Sequence, residues 1–367
     1  MPVNYAKRRR SFRKLCKAAG ADSALVTNET NVRYLTGFTG DSSFLWFDDK
    51  QEWLLTDSRY TVQLSQECPD LELISRDSKI NIWQLAARTL GKAGTKKLAL
   101  ETHHLTKQNY DQLVDALPQV TPVPTSGLVE QLRAIKDKSE LATIKKAIAI
   151  AERSFAVIRS QLTEQQTEIQ IAHNLEHQIR AFGGSRCAFD PIVGVGKNGA
   201  LPHGRPSADS RIGDAPFVLI DWGAQYDGYA SDLTRILVTA RISPKLRKVY
   251  NLVLQAQLAA IGQIRDGAKL ADVDRAARKT IEDGGFGKRF GHGLGHGFGL
   301  QIHESPFLTP TATGVLKTGM VITIEPGIYL PTWGGVRIED DVLVTEDGFE
   351  VLTSAPKEID QCVVSMC

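Results

Sequence analysis

Short apolar runs alternate with helical patterns over the first third of the chain. Five runs have the length and composition of strands, namely Ala24 to Thr27, Phe44 to Phe47, Trp53 to Thr56, Leu71 to Ser75 and Leu98 to Glu101. Strands interleaved with helices predict a small α/β domain. The segment Thr121-Pro-Val-Pro-Thr-Ser-Gly127 interrupts this pattern with residues that neither a helix nor a central strand tolerates. We therefore expect two domains, at 1–126 and 127–367.

Beyond this segment the pattern changes to two helices followed by a β-hairpin, and this order occurs twice. The first pair of helices begins near Asp137 and Thr167, and strands follow at Phe217 to Asp221 and Tyr229 to Leu237. The second pair begins at Ser243 and Leu270, and strands follow at Met320 to Glu325 and Val336 to Thr345. The C-terminal part is therefore expected to be an α+β domain of two similar helix-helix-hairpin halves.

Composition and charge are those of a soluble globular protein. Apolar residues make up 42% and charged residues 23% of the 367 residues, which is average for this class. Lys and Arg number 44 against 42 Asp and Glu, so no overall field attracts nucleic acid or an anionic membrane. The basic run from Lys7 to Lys14 could serve targeting or nucleic-acid binding, but apolar residues at helical spacing within it favour a solvated helix face. We therefore expect neither nucleic acid nor a membrane as a partner.

The cysteines and the absence of long apolar runs indicate the compartment. Five cysteines are scattered without a CxxC pair, at Cys16, Cys68, Cys187, Cys362 and Cys367. No run of about 18 apolar residues and no secretory signal pattern is seen. We expect free thiols and a cytoplasmic protein.

Acidic residues occur in apolar strands of both halves. Asp221 and Asp232 flank the first hairpin an odd number of residues apart, so a two-residue turn would place them on one face. Glu325 and Glu339 lie in strands of the second half. Burying such carboxylates as anions is unfavourable unless protons, cationic side chains or metals neutralise them. For any single acid a structural role stays open, with Glu325 at a strand end or Glu339 paired with Arg337.

A glycine-rich segment with two histidines separates these acidic pairs. Gly291-His-Gly-Leu-Gly-His-Gly-Phe-Gly299 has glycine at every second position, but no Gly-Lys-Ser/Thr of a phosphate loop follows. His292 and His296 are spaced as in zinc-binding helices, yet the glycines disfavour a helix, so a single histidine ligand is the better interpretation. Four carboxylates and one imidazole exceed the needs of one catalytic zinc and predict two divalent ions. Manganese is expected first, and cobalt or zinc also suits this donor set.

Four blocks of the sequence resemble the motifs of the pita-bread metallopeptidases, which include Xaa-Pro aminopeptidase, prolidase and methionine aminopeptidase. The blocks are Leu219 to Arg235, Gly291 to His296, Ile324 to Tyr329 and Arg337 to Asp341, in the family's order. The segment Asn31 to Ser43 also resembles the first domain of the Xaa-Pro and prolidase branch. The resemblance implies a pita-bread catalytic domain after a smaller creatinase-type α/β domain, and a homodimer.

The same resemblance implies a role for each candidate site residue. The metal ligands would be Asp221, Asp232, His296, Glu325 and Glu339, of which Asp232 and Glu339 would bridge the two ions. Glu325 would also move a proton. His203 and His303 look like substrate-facing histidines that donate hydrogen bonds to the substrate carbonyl and the intermediate. Arg337 would either neutralise carboxylates or bind a substrate carboxylate, and His292 would support a ligand or line the pocket.

The predicted activity is that of an Xaa-Pro aminopeptidase. Such an enzyme releases the N-terminal residue from peptides with proline in second position, through a hydroxide that bridges the two metals. Prolidase, which cuts only dipeptides, is the alternative. A catalytically silent pita-bread protein that binds a partner is a third possibility, and the intact ligand set argues against it.

Overall fold

The computed structural model describes residues 3–366. Its N-terminal unit is built from six helices and one six-stranded sheet. The helices are α1 (Tyr5–Ala18), α2 (Glu29–Thr36), α3 (Thr61–Glu67), α4 (Ile82–Ala93), α5 (Lys107–Ala116) and α6 (Leu128–Arg133). The strands are β1 (Ser23–Val26), β2 (Phe44–Phe47), β3 (Glu52–Asp57), β4 (Glu72–Arg76), β5 (Lys97–Glu101) and β6 (Thr121–Thr125), in the sheet order β4-β3-β2-β1-β5-β6. The α/β architecture and all five predicted strands are confirmed.

The end of this unit differs from the prediction. The segment in which we placed the domain boundary forms strand β6, which lies at the edge of the sheet and pairs with β5 alone. Prolines, which cannot donate a backbone hydrogen bond, are tolerated at such an edge. Helix α6 also belongs to this unit, since Asn31 binds both Glu130 and Arg133 at 2.8 Å. The compact units consequently divide between Arg133 and Ala134, where the sequence predicted 126/127.

The basic run near the N-terminus forms part of helix α1. Arg9 is buried and donates hydrogen bonds to Glu52 at 2.7 Å and to Asp70 at 2.5 Å. Arg8 is buried as well. The predicted solvated face is therefore wrong for these two arginines, because other segments of the unit supply their hydrogen-bond partners. The exposed cations of the run are Lys7, Arg10 and Lys14.

The C-terminal unit contains the predicted helix-helix-sheet order twice. The first half has helices α7 (Lys138–Ser160) and α8 (Glu168–Ala181), followed by strands β7 (Arg186–Cys187), β8 (Ile192–Val195), β9 (Phe217–Trp222), β10 (Ala224–Tyr226), β11 (Tyr229–Ala230) and β12 (Leu233–Val238). The second half has helices α9 (Pro244–Ile261) and α10 (Leu270–Asp283), followed by strands β13 (Gly295–Gly297), β14 (Glu304–Leu308), β15 (Val321–Ile324), β16 (Gly327–Leu330), β17 (Gly334–Arg337), β18 (Asp340–Val344) and β19 (Phe349–Val351).

Local capping explains where α7, α8 and α9 begin, whereas α10 has no side-chain cap. The Asp137 side chain accepts the backbone N–H of Glu140, whose carboxylate accepts the N–H of Asp137 in return. Ser243 caps α9 in a similar way by accepting the N–H of Leu246 at 3.2 Å. One such cap contributes about 1 kcal/mol of stability. The predicted starts of α7, α8 and α9 are confirmed. Each start is set by a hydrogen bond between residues only three positions apart, which the sequence shows directly.

The sheets of the two halves are joined at one position. Strands β12-β9-β8 form one sheet and β14-β13-β15-β18-β19 form another. The strand predicted at Val336 to Thr345 is interrupted between β17 and β18, and the interruption contains Glu339. The backbone N–H of Glu339 donates to the carbonyl oxygen of Thr234 in β12 at 3.2 Å. This bridge brings an acidic residue of the second half beside those of the first.

Two further expectations concern cysteines and membranes. Cys16, Cys68, Cys187 and Cys362 are free thiols, and Cys367 lies outside the described residues. Among residues 3–366, no helix combines the length and the apolar composition that crossing a bilayer requires.

Candidate active site

Three adjacent chain segments place acidic side chains in one row. Asp221 in β9 pairs with Thr234 in β12, and Thr234 forms the bridge to Glu339. The Thr234 hydroxyl donates to Glu339 Oε2 at 2.6 Å. Asp232 lies two residues before Thr234 and therefore on the same face. One carboxylate oxygen from each of Asp221, Asp232 and Glu339 lies within 4.8 Å of the others, so the predicted convergence is confirmed.

His296 in β13 adds an imidazole to this group. Its Nε2 lies 3.5 Å from Glu325 Oε1 and 3.6 Å from Asp232 Oδ2. Its Nδ1 lies 3.0 Å from the carbonyl oxygen of Gly297, and because a carbonyl only accepts, Nδ1 carries the proton. Burial lowers the pKa of His296 to about 4, so the ring is neutral near pH 7. Nε2 therefore offers a lone pair on the side of the carboxylates, as a metal ligand requires.

The glycine-rich segment forms strand β13 at Gly295–Gly297, and this strand packs closely against β15. A Cβ atom at Gly295 would lie 2.0 Å from the carbonyl oxygen of Thr323, so only glycine fits. The Thr323 hydroxyl accepts the backbone N–H of His296 at 3.1 Å. Glycine permits this close backbone approach, and the strand excludes a zinc-binding helix of the HExxH type.

Three of the four carboxylates are buried, Glu325 is half-buried, and the group carries an excess of negative charge. Burial, reinforced by repulsion from Glu339 and Asp221, raises the pKa of Asp232 well above its usual value. Burial likewise raises the pKa of Glu339 well above its usual value, and that of Glu325 to about 8. A single guanidinium is bonded within the cluster, with Arg337 Nη2 at 2.5 Å from Asp221 Oδ2. The remaining carboxylates need protons or further cations.

An unsatisfied oxygen shows that a cation fits this cluster. Asp221 Oδ1 is buried and has no hydrogen-bond partner among residues 3–366. Leaving such an acceptor unpaired is unfavourable unless a ligand satisfies it. Two groups of donor atoms, Asp221 with Asp232 and Glu339, and His296 with Asp232 and Glu325, share Asp232. Carboxylates with one imidazole suit divalent ions such as Mn²⁺, Co²⁺ and Zn²⁺, so these residues fit a metal centre.

Arg337 is held by the protein through three nitrogens. Nε donates to Thr234 at 3.0 Å, Nη1 donates to the Tyr329 hydroxyl at 2.8 Å, and Nη2 binds Asp221. The Tyr329 hydroxyl lies 2.9 Å from His292 Nε2, and His292 Nδ1 bonds the carbonyl oxygen of the next residue. Of the two roles left open for Arg337, this geometry favours neutralisation of carboxylates. His292 supports Tyr329 and also lines the cavity.

A cavity of about 460 Å³ lies over the carboxylates, within the C-terminal unit. Both predicted substrate-facing histidines, His203 and His303, line it and are exposed. The His303 ring also contacts the His296 ring edge to face, with centroids 4.4 Å apart. The apolar part of the wall includes Phe189, Ile192, Ile302 and Phe307. A cavity of this size is typical of sites for small ligands.

Sequence reasoning missed two polar residues of the site and its apolar wall. Thr234 contacts Glu339 and Arg337, and its position two residues after Asp232 was an available signal for a shared face. Tyr329 had no local signal, because its contact with Arg337 depends on the pairing of β16 with β17. The wall residues come from two segments of the chain, 189–192 and 302–307, that are far apart in sequence.

Comparisons with protein families agree with this geometry. The model of metallopeptidase family M24 matches residues 142–346, and the model of the creatinase/prolidase N-terminal domain matches residues 8–135. The uncharacterized peptidase YqhT of Bacillus subtilis is 37% identical over 348 residues, which cover 95% of this chain and 98% of that protein.

Solved structures are similar over nearly the whole chain. The Xaa-Pro dipeptidase from Bacillus anthracis is 39% identical with a TM-score of 0.93, covering 97% of this chain and 99% of that one. The X-Pro aminopeptidase from Thermotoga maritima is 34% identical with a TM-score of 0.87, covering 95% and 99%. The expected pita-bread domain after a creatinase-type domain is thereby confirmed. This chain belongs to metallopeptidase family M24 and is a metallopeptidase.

Proposed function

We propose that the protein hydrolyses the bond between an N-terminal residue and a proline in second position, using two divalent metal ions. The observation that carries this proposal is the pair of donor groups that share Asp232 beneath a cavity lined by two histidines. Mn²⁺ is proposed first, with Co²⁺ or Zn²⁺ as alternatives. Bound ions would lower the pKa of a water molecule and polarise the scissile carbonyl. The homodimer and the cytoplasmic location stay predictions.

Glu325 is the carboxylate proposed to move a proton. Burial raises its pKa to about 8, so in the metal-free protein it holds a proton near neutral pH. Thr323 donates to Glu325 Oε1 at 3.3 Å and orients the group. Its carboxylate oxygen would accept a proton from the attacking water and deliver it to the leaving nitrogen.

The cavity suits a proline-containing substrate. A bond before proline is a tertiary amide without an N–H, so the site needs no acceptor for that donor. His203 and His303 would donate hydrogen bonds to the substrate carbonyl and to the oxyanion that develops from it. Burial lowers the pKa of His303, which leaves a neutral imidazole with one N–H to donate. The apolar walls would pack against the proline ring.

Dipeptides are the proposed preferred substrate, with longer peptides as the second candidate. The sequence placed the aminopeptidase first, and two observations reverse that order. The structure with the higher TM-score of the two described above is an Xaa-Pro dipeptidase. A dipeptide also ends in a carboxylate, and Arg205 is an exposed cation of the cavity wall, whereas Arg337 already binds protein groups. We assign the substrate carboxylate to Arg205.

The likeness to the Thermotoga maritima X-Pro aminopeptidase is the observation that favours the second candidate. The test compares kcat/KM for Ala-Pro, Ala-Pro-Ala and Met-Ala-Ser on one metal-loaded preparation, with Glu339→Gln as the inactive control. Hydrolysis of Ala-Pro alone is expected. A preference for Ala-Pro-Ala would establish the aminopeptidase instead. Comparable cleavage of Met-Ala-Ser would overturn the proline assignment and leave the metal centre intact.

A further inference from the structure

Lys136 and Glu304 form an ion pair in the interior of the C-terminal unit. Lys136 Nζ lies 3.5 Å from Glu304 Oε2, and the two side chains are 1% and 6% exposed. Lys136 precedes helix α7, and Glu304 is the first residue of β14, directly after His303. Neither member of the pair lines the cavity. The pair therefore does not contact a substrate in the cavity directly.

Glu304 holds the loop that precedes it. Glu304 Oε1 accepts the backbone N–H of Gln301 at 2.9 Å, and the N–H of Gly299 donates to the Gln301 carbonyl oxygen at 2.9 Å. A Cβ atom at Gly299 would lie 3.1 Å from Glu304 Oε2 and 3.3 Å from Lys136 Cε. The last glycine of the glycine-rich segment thus leaves room for both partners. The 299–304 loop folds around the Glu304 carboxylate.

Lys136 is itself anchored at its backbone. Its N–H donates to the carbonyl oxygen of Gly319 at 2.8 Å, and Asp137, the next residue, caps helix α7. The ammonium group therefore extends from a segment that is fixed at both ends. The position of the Lys136 ammonium group is therefore well defined, and so is the position of the Glu304 carboxylate that it binds.

The burial of Glu304 determines where His303 points. Successive residues of an extended chain point to opposite sides. Strand β14 follows this rule, with Glu304 and Pro306 buried and Ser305 and Phe307 exposed. His303 lies in the bend directly before this strand, is exposed and lines the cavity. Because Glu304 is held inside and is bonded to the loop through the N–H of Gln301, the imidazole of the adjacent residue is directed to the cavity.

A buried ion pair is a poor device for stability alone. Replacing such a pair by apolar residues of similar size is often neutral or stabilising, because desolvation opposes the attraction between the charges. A well-packed apolar pair would leave the loop without the carboxylate that accepts the Gln301 N–H. The two charges are therefore better explained by the conformation that they impose on the 299–304 loop.

We propose that the Lys136–Glu304 ion pair positions His303 for hydrogen bonding to the substrate. Lys136 and Glu304 are positioning residues that act through the 299–304 loop. The inference rests on the proposed hydrolysis of Xaa-Pro bonds.

The first test is a double-mutant cycle on the metal-loaded enzyme. Lys136→Met is expected to lower kcat for Ala-Pro about tenfold to a hundredfold, since a small displacement of a catalytic group has effects of this size. Lys138→Met, which changes an exposed lysine of the same segment, is the matched control and should behave as wild type. In a His303→Ala background, K136M should cause no further loss. An equal loss in both backgrounds would overturn the proposal.

The second test does not depend on activity. Hydrogen exchange of the 299–304 backbone, measured by mass spectrometry, should be faster in K136M and in Glu304→Gln, while the metal content stays that of wild type. The double variant K136M/E304L keeps the interior apolar and guards against simple misfolding, and it should show the same fast exchange and low kcat. Unchanged exchange in these variants would refute the role of the pair. Inactivity of the wild type on every proline peptide would instead refute the proposed function.

Discussion

Glu339 and Asp340 are adjacent in the chain but belong to two different buried charge clusters, which differ in how their charge is balanced. Glu339 belongs to the carboxylate cluster described above, and Asp340 forms a second cluster, the Asp340 cluster, with Arg235 and Lys357. Asp340 accepts hydrogen bonds from Arg235 at 2.7 Å and from Lys357 at 2.5 Å. Although burial opposes ionisation, these two cations lower the pKa of Asp340. Glu339, the preceding residue, lies among carboxylates, and its pKa is raised well above the usual value.

The contrast shows what distinguishes a buried acid that is paired with protein cations from a buried acid that suits a metal ion. Both residues are 1% exposed, so burial alone does not separate them. The oxygens of Asp340 are also bonded by Thr353 at 2.8 Å and Gln257 at 3.2 Å. In the other cluster, Asp221 Oδ1 has no partner in the described part of the chain. A shortage of cations and donors, rather than burial, marks the site where a metal fits.

Removal of metal should have the largest effect and should act on one cluster alone. A chelator is expected to abolish hydrolysis of Ala-Pro, and Mn²⁺, Co²⁺ or Zn²⁺ should restore it, because water is a weak nucleophile without them. Circular dichroism should show that the secondary structure persists. Undiminished turnover in a preparation shown to be metal-free would contradict the assignment.

Neutralising one acid of the carboxylate cluster should separate metal binding from stability. Asp232→Asn and Glu339→Gln are each expected to lose metal occupancy and nearly all activity, because an amide is a poor replacement for a bridging carboxylate. The same changes should stabilise the metal-free protein, since they remove repulsion. Metal analysis and thermal unfolding check both effects. Two ions retained at wild-type affinity would show that the bridges are assigned wrongly.

Neutralising Asp340 in the second cluster should have the opposite effect, lowering stability without loss of metal. Asp340→Asn leaves Arg235 and Lys357 buried without their counter-ion and should destabilise the protein by about 3 kcal/mol. Metal stoichiometry should remain that of wild type. Urea unfolding with and without metal measures the loss, which is expected in both states. A variant as stable as wild type would mean that the Asp340 cluster contributes nothing net.

The pH dependence of the metal-free protein should sharpen the same contrast. Folding raises the pKa of Glu325 from 4.5 to about 8, so the stability associated with its proton is present at low pH and is lost as the pH rises toward 8. The unfolding midpoint of the metal-free protein should therefore fall as the pH rises from about 4.5 to about 8 and should level off above that. Glu325→Gln should flatten this slope. A slope identical to that of wild type would exclude Glu325 as its source.

A cation outside both clusters should give the smallest effect. Arg205→Ala is expected to raise KM for Ala-Pro about fivefold, because an exposed ion pair contributes little. KM for the uncharged Ala-Pro amide should not change. Arg241→Ala, which removes an exposed arginine that does not line the cavity, is the control. Equal effects on the acid and the amide would remove Arg205 from carboxylate binding.

The sequence by itself determined the elements and the residue types of the site. Helix α10 begins at the predicted residue, Leu270, and the hairpin of Asp221 and Asp232 has the predicted face, because helical and strand periodicities are local properties. The carboxylates could be recognised since they interrupt apolar strands. His296 could be preferred to a helical zinc pair because the glycines around it disfavour a helix.

Only the tertiary structure decided which groups meet. Thr234 contacts Glu339 across 105 positions of sequence, and Arg337 contacts Asp221 across 116, so no local pattern indicates either contact. The same holds for the buried partners of Arg9 and for Lys136 with Glu304, which are 168 positions apart. Periodicity tells which face a side chain occupies, whereas the register between distant segments determines what lies opposite it. The contacts of Arg337, Tyr329 and Glu304, and the roles proposed for them, depend on that register.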